Sequence, residues 1–118
     1  MDIIRNILDA GISKVPELLY TRTNNLGMSE TVNPTGVPLE AGQSVRFRIV
    51  REQSTTATIT MRIRDGGTSG SNILATKTLA AGTSGDLVYK ADSAQTVFFA
   101  LQSNQINTAL IYAIGERF

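Results

Sequence analysis

Five arginines, Arg46, Arg48, Arg51, Arg62 and Arg64, stand between Gln43 and Asp65 with only Glu52 and Asp65 to oppose them. They make a local balance of +3 in a chain whose total is +1. A guanidinium is a planar, permanently charged donor that suits carboxylates and phosphates, so this stretch is the first place to look for binding chemistry. Three readings are open: a solvated sheet exterior, an interface to an acidic partner surface, and a phosphate or nucleic-acid site. Few aromatic residues interleave with the arginines, which disfavours a single-strand nucleic-acid platform.

The rest of the chain offers little for catalysis. Cysteine and histidine are both absent, which removes thiolate metal sites, disulfides, the cysteine nucleophile and the usual imidazole base. Lys14, Lys77 or Lys90 could activate a serine or threonine, but no motif places such a dyad, and the acids are spread singly over the loops. The loop Asp65 to Asn72, DGGTSGSN, has neither the repeated acids of a calcium loop nor the lysine of a P-loop and reads as a turn. A non-enzymatic protein without cofactor or metal is expected.

The elements that must position the arginines follow from hydrophobic periodicity. Val45, Phe47 and Ile49 alternate with Ser44, Arg46 and Arg48, and Ala57, Ile59, Met61 and Ile63 alternate with Thr58, Thr60, Arg62 and Arg64. Both runs predict half-buried strands with the arginines outward. If these strands pair with Phe47 opposite Met61, Arg46 falls opposite Arg62, a like-charge pair that calls for an intervening anion or acidic partner. If they lie in opposite sheets, the arginines divide between two outer faces.

Further strands are predicted at Asn72 to Leu79, where Ile73, Ala75 and Leu79 alternate weakly as the apolar side, Leu87 to Ala91, Thr96 to Gln102 and Ile106 to Ile114, with Gly/Ser-rich turns between them. Six strands with regular turns give a mainly β chain, an antiparallel β-sandwich or jelly roll. The inward set of the fifth strand is Val97, Phe99 and Leu101, leaving Phe98 and Ala100 outward; the last strand also carries apolar residues on both faces through Leu110, Ile111, Tyr112 and Ile114. A two-faced strand at the surface of a small sandwich predicts a second buried contact, with another chain favoured over the amino-terminal helix.

That helix is predicted over Met1 to Val15, where Ile3, Ile4, Ile7, Leu8, Ile12 and Val15 fall three or four apart. Pro16 ends it, and a short second turn through Glu17, Leu18 and Leu19 is expected to follow. Its charges are mixed rather than basic, which favours a protein surface over lipid. Thr21 to Gly42 reads as an extended arm, shortened if Met28 to Val32 forms a strand. The expected division is therefore residues 1–42, helix and arm, and residues 43–118, the sandwich. At 118 residues the chain fits one domain. No apolar run approaches the roughly 18 residues of a membrane span, and the charged start is unlike a signal peptide.

The phrase order LEAGQSVRFRI, a second alternating strand, a Gly/Ser turn, ILATKTLAAGTSGD and TVFFALQS, from Leu39 to Asn104, resembles two groups. One is the small β-sandwich carbohydrate-binding modules. The other is the small jelly-roll vertex and minor capsid proteins of icosahedral bacteriophages, similar also in the Ser/Thr/Gly/Ala-rich, cysteine-free composition. Sugar modules usually present Trp or Tyr platforms, whereas this chain has no Trp, and its tyrosines, Tyr20, Tyr89 and Tyr112, fall in a predicted helical segment and two predicted strands rather than in loops. The phage resemblance therefore implies a virion structural protein made in a host cytoplasm, a homo-oligomer that also contacts other structural proteins. Its candidate interface is Arg46, Arg48, Arg62 and Arg64 with Ile4, Ile7 and Leu8. The sugar resemblance implies, as the alternative, a glycan- or receptor-binding module.

Overall fold

The computed structural model describes residues 17–118, so the helix predicted over Met1 to Val15, with Ile4, Ile7 and Leu8, lies outside the described residues. Nine strands run through the described part: β1 (Glu17–Arg22), β2 (Thr31–Val32), β3 (Val37–Leu39), β4 (Ser44–Val50), β5 (Ile59–Arg64), β6 (Ile73–Leu79), β7 (Gly85–Lys90), β8 (Gln95–Ser103) and β9 (Tyr112–Arg117). All pair antiparallel, in two sheets. One has the order β1-β9-β4-β7; the other has the order β2-β8-β5-β6, with β3 joining β8 farther along the edge that β2 begins. The result is an antiparallel sandwich. No helix occurs among the described residues, and accordingly none there is long and apolar enough to cross a membrane.

The alternating residues face inward as their period requires. Val45, Phe47, Ile49, Ile59, Met61, Ile63, Val97, Phe99 and Leu101 are all buried between the sheets, the Arg46 and Arg48 positions lie on one outer face, and those of Arg62 and Arg64 on the other. At the centre of the core Phe47 and Phe99 meet with centroids 5.1 Å apart, and Tyr20 sits 6.0 Å from each, stacked on Phe99 and edge-on to Phe47. Burial pushes the Tyr20 phenol above its ordinary value. The three rings fit because β9 passes them with Gly115, where an added methyl would come within 2.5 Å of Phe99 Cε2.

Four local expectations are corrected. The turn predicted around Leu18 and Leu19 is instead β1, because the Glu17–Arg22 backbone is paired with β9 from Arg117 to Ala113. In the stretch predicted as an arm, β2 falls within the Met28 to Val32 strand that would shorten it, but the end of β1 and β3 are also strand, so the sheets extend beyond the 43–118 segment. Within β6, Ile73 is exposed rather than inward: Ala75 pairs with Ile63 and Ile73 with Arg64, so Leu74 is an extra residue that reverses the facing beyond it. The last strand starts late, at Tyr112. Residues before it are held in a loop by backbone bonds between Leu26 and Thr108, by the Ser103 and Thr108 hydroxyls 2.5 Å apart, and by Asn107 at φ 53°.

On the outward apolar side of β8, residues of this chain lie over Phe98. Ala100 is fully buried between its ladder partners Val32 of β2 and Arg62 of β5, and the Phe98 ring lies against the backbone at Gly36 and Gly67. A methyl at Gly36 would fall 2.7 Å from Phe98 Cζ, so only glycine lets that loop lie flat on the ring. The segment expected to be an arm thus supplies one contact on the second face of this strand.

Arg51, just past β4, is buried and has no carboxylate partner among the described residues. Its guanidinium donates to four backbone carbonyls: Thr83 at 2.7 Å, Leu79 at 3.4 Å, Ala57 and Ala80. Its own N–H donates to Ser84 Oγ at 3.0 Å. Ala57 lies in the β4–β5 connection, Ala80 and Thr83 in the β6–β7 connection, and Leu79 at the end of β6, where the chain crosses between sheets at this end of the sandwich. Replacing Arg51 by Met strips buried carbonyls of their donor and is expected to cost on the order of 3 kcal/mol of unfolding free energy. Arg51→Lys keeps the charge but not the fork, and should recover only part of that loss in urea denaturation.

Candidate functional site

The candidate arginines form no single patch. Because β4 and β5 lie in opposite sheets, Arg46 and Arg48 are separated from Arg62 and Arg64 by the thickness of the core, and Arg46 is not opposite Arg62. Each pair has instead acquired its own acids.

On the β1-β9-β4-β7 sheet the outward residues form a mixed lattice. One row across the strands runs Val88, Arg46, Glu116, Leu18; the next runs Asp86, Arg48, Ile114, Thr21. Tyr112 pairs with Val50 beyond them. Arg46 Nε lies 3.5 Å from Glu116 Oε1, and its guanidinium stands 5.4 Å from the Phe118 ring centroid. Arg48 holds Asp86 bidentately, Nε to Oδ1 at 2.8 Å and Nη2 to Oδ2 at 3.2 Å, and Lys77 Nζ donates to the Asp86 carbonyl at 3.0 Å. Arg48, Val50, Lys77, Ser84, Asp86 and Tyr112 border an open depression of about 450 Å³. At the strand edge Arg117 grips both oxygens of Glu17 and lowers that carboxyl's pKa.

Across the core, Glu30 bridges the other two arginines. Arg62 Nη1 donates to Glu30 Oε2 at 2.6 Å and to Gln102 Oε1 at 3.1 Å. Arg64 donates to Glu30 Oε2 through Nε and Nη2 and to the Ser71 carbonyl at 2.6 Å through Nη1. Glu30 and Arg64 are 6% and 7% exposed, so this is a buried ion pair with its donors largely matched. Glu30 comes from the segment expected to be an arm, and nothing in its local sequence marks it as the counter-ion of strand β5. Arg51 was likewise indistinguishable by sequence from its neighbours.

The paired guanidiniums and carboxylates offer charge-assisted hydrogen bonding. Among the described residues no three His, Cys, Asp or Glu side chains gather to hold a metal, and Ile4, Ile7 and Leu8 lie outside the described part. Loops of the chain lie over Phe98 on the β8 face, where Met28 and Ile73 stay exposed, and on the other face Val88 and Leu18, 52% and 58% exposed, flank the arginine–carboxylate rows.

Two measurements check these pairings. Glu30→Gln leaves two guanidiniums without their counter-charge and is expected to lower stability by about 3 kcal/mol, with Arg64→Met compensating part of the loss in the double variant. The hydrogen bonds from Arg48 hold the Asp86 carboxyl below its ordinary value of 3.8. A depressed folded pKa stabilises the fold above the unfolded value, and the contribution disappears as pH falls through the folded value. Arg48→Gln should therefore be less stable than the native chain at neutral pH, by less than about 1 kcal/mol because the pair is partly solvated, and the gap should close well below pH 3.8.

No protein-family model matches the chain, and no curated protein matches it. Among solved structures it is similar to the Clostridium thermocellum N-terminal endo-1,4-beta-D-xylanase 10B, CBM22-1-GH10 modules complexed with xylohexaose, at 15% identity and a TM-score of 0.41. The alignment covers 87% of this chain and 27% of that one, so this chain spans about a quarter of the length of the structure it matches.

Proposed function

We propose that this chain is a non-enzymatic structural protein that self-associates through the outer face of the β1-β9-β4-β7 sheet, as a component of a virion shell of the icosahedral-phage type. The observation that carries the reading is the outer face of the β1-β9-β4-β7 sheet, which sets exposed apolar residues in rows with arginine–carboxylate pairs. Leu18 and Val88 are exposed at the two ends of the Arg46–Glu116 row, and half-buried Ile114 and Tyr112 stand beside the Arg48–Asp86 pair. A face carrying Arg46 and Arg48 with Glu116 and Asp86 bears both signs of charge, so it is complementary to a second copy of itself turned about a two-fold axis. The winding supports the same reading. With β2 and β3 counted as one interrupted strand, the orders 1-9-4-7 and 2/3-8-5-6 are those of an eight-strand jelly roll, an architecture frequent in capsid and lectin domains. Ile4, Ile7 and Leu8 add an apolar stripe in the sequence that leads into β1, at the edge of the same sheet.

The second reading, a glycan-binding module, draws on one feature. Tyr112 borders the depression that also holds the Arg48–Asp86 pair and Lys77, and a ring beside bidentate polar groups suits a sugar.

Light scattering on the full chain separates the two. An oligomer is expected, and Leu18→Asp combined with Val88→Asp, both at exposed positions, should shift it toward monomer without lowering stability. Removing residues 1–15, which leaves β1 whole, should weaken assembly further. A chain that stays monomeric at high concentration and binds a glycan, with binding lost in Tyr112→Ala, would overturn the assembly reading.

A further inference from the structure

The Glu30–Arg62–Arg64 cluster, on the sheet opposite the assembly face, leaves one recognition edge unused. Arg62 donates only through Nη1, to Glu30 and Gln102. Its Nε and Nη2 have no acceptor among the described residues, and neither is among the unpartnered side-chain nitrogens that are sealed from solvent. These two nitrogens form the side of the guanidinium that takes two oxygens of one oxyanion in parallel. Arg62 is 22% exposed and opens into a depression of about 550 Å³ bordered by Met28, Ser29, Ser69 and Ile73.

The charge around this edge favours a monoanion. Two guanidiniums face one carboxylate, Glu30, leaving a single positive charge. Asp65, the acid that opens the neighbouring loop, is occupied by Asn72, which donates to its oxygens through N and Nδ2 at 2.9 Å each. A doubly charged phosphate would meet Glu30 at close range, whereas a carboxylate adds one negative charge and matches the planar edge. The flanks select the rest of the ligand. Met28 and Ile73 are exposed apolar side chains, 55% and 50% accessible, and stand on the border of the same depression.

We propose that this depression is a binding site for a carboxylate carried on a short apolar stem, its two oxygens taken by Nε and Nη2 of Arg62 and its stem laid against Met28 and Ile73. The site and the assembly face are on different sheets, so loss of one is read separately from loss of the other.

The test is titration of the full chain with isovalerate, formate, inorganic phosphate and chloride at matched ionic strength, following the Nε–Hε NMR signal of Arg62. Isovalerate is expected to displace that signal saturably. Formate, which lacks the stem, should need about fivefold more, phosphate should be weaker than isovalerate, and chloride should give no saturation. Glu30 keeps Arg64 in Arg62→Gln, so that variant is expected to fold, and backbone signals at Met28 and Ile73 should then no longer respond to isovalerate. Absence of saturation with isovalerate, an equal response to chloride, tighter phosphate binding, or a persistent backbone response in Arg62→Gln would each overturn the proposal. Should Arg62→Gln fail to fold, Met28→Ser with Ile73→Ser serves instead: it should erase the preference for isovalerate over formate, and a retained preference overturns the site.

Discussion

The architecture turns on Arg51, a buried cation held by carbonyl dipoles rather than by a carboxylate. A guanidinium taken out of water is costly unless its donors are matched, and here backbone oxygens from both sheet-crossing connections supply the match. The same bonds satisfy carbonyls that leave the ladder where the chain passes from β4 to β5 and from β6 to β7. One side chain therefore fixes the end of the sandwich at which strands change sheets. The partition of the neighbouring arginines is a consequence, since Arg48 and Arg62 are held apart by the crossing that Arg51 closes.

Each outer face then resolves its charge differently. Arg48 finds Asp86 on the adjacent strand, a partly solvated pair of modest worth. Arg62 and Arg64 share Glu30 from a distant segment, and that carboxylate is almost wholly buried. The segment bearing Glu30 continues through β2, β3 and the Gly36 loop over Phe98, so it covers the apolar half of β8 while neutralising the basic half of β5. The two faces therefore differ in how their charge is met, by an adjacent strand on one and by a distant segment on the other.

Sequence reasoning found most of the core. The inward residues of β4, β5 and β8 were legible because alternation makes one side apolar whatever the strand pairs with. It failed where pairing partners override local pattern: at β1, whose short ELLYTR run follows a proline and reads as a turn; at Ile73, reversed by a single extra residue; and at Ile106 to Ile111, where apolar residues occupy a loop. The site was half legible. Arg46, Arg48, Arg62 and Arg64 were visible as outward charges, but Glu30, Glu116 and Asp86 carry no local mark of the partners they serve.

The alternation from Gln43 to Asp65 by itself determined that Val45, Phe47, Ile49, Ile59, Met61 and Ile63 would be buried and that the arginines between them would face outward. It could not determine whether β4 and β5 pair with each other, because a connection of eight residues, Arg51 to Thr58, can close a hairpin or cross a sandwich. Only the tertiary structure decided that, through long-range bonds from Arg51 and ladder partners dozens of residues away. The physical reason is that burial is a property of one strand's own period, whereas sheet membership and counter-ion choice are settled by chain segments that meet only after folding.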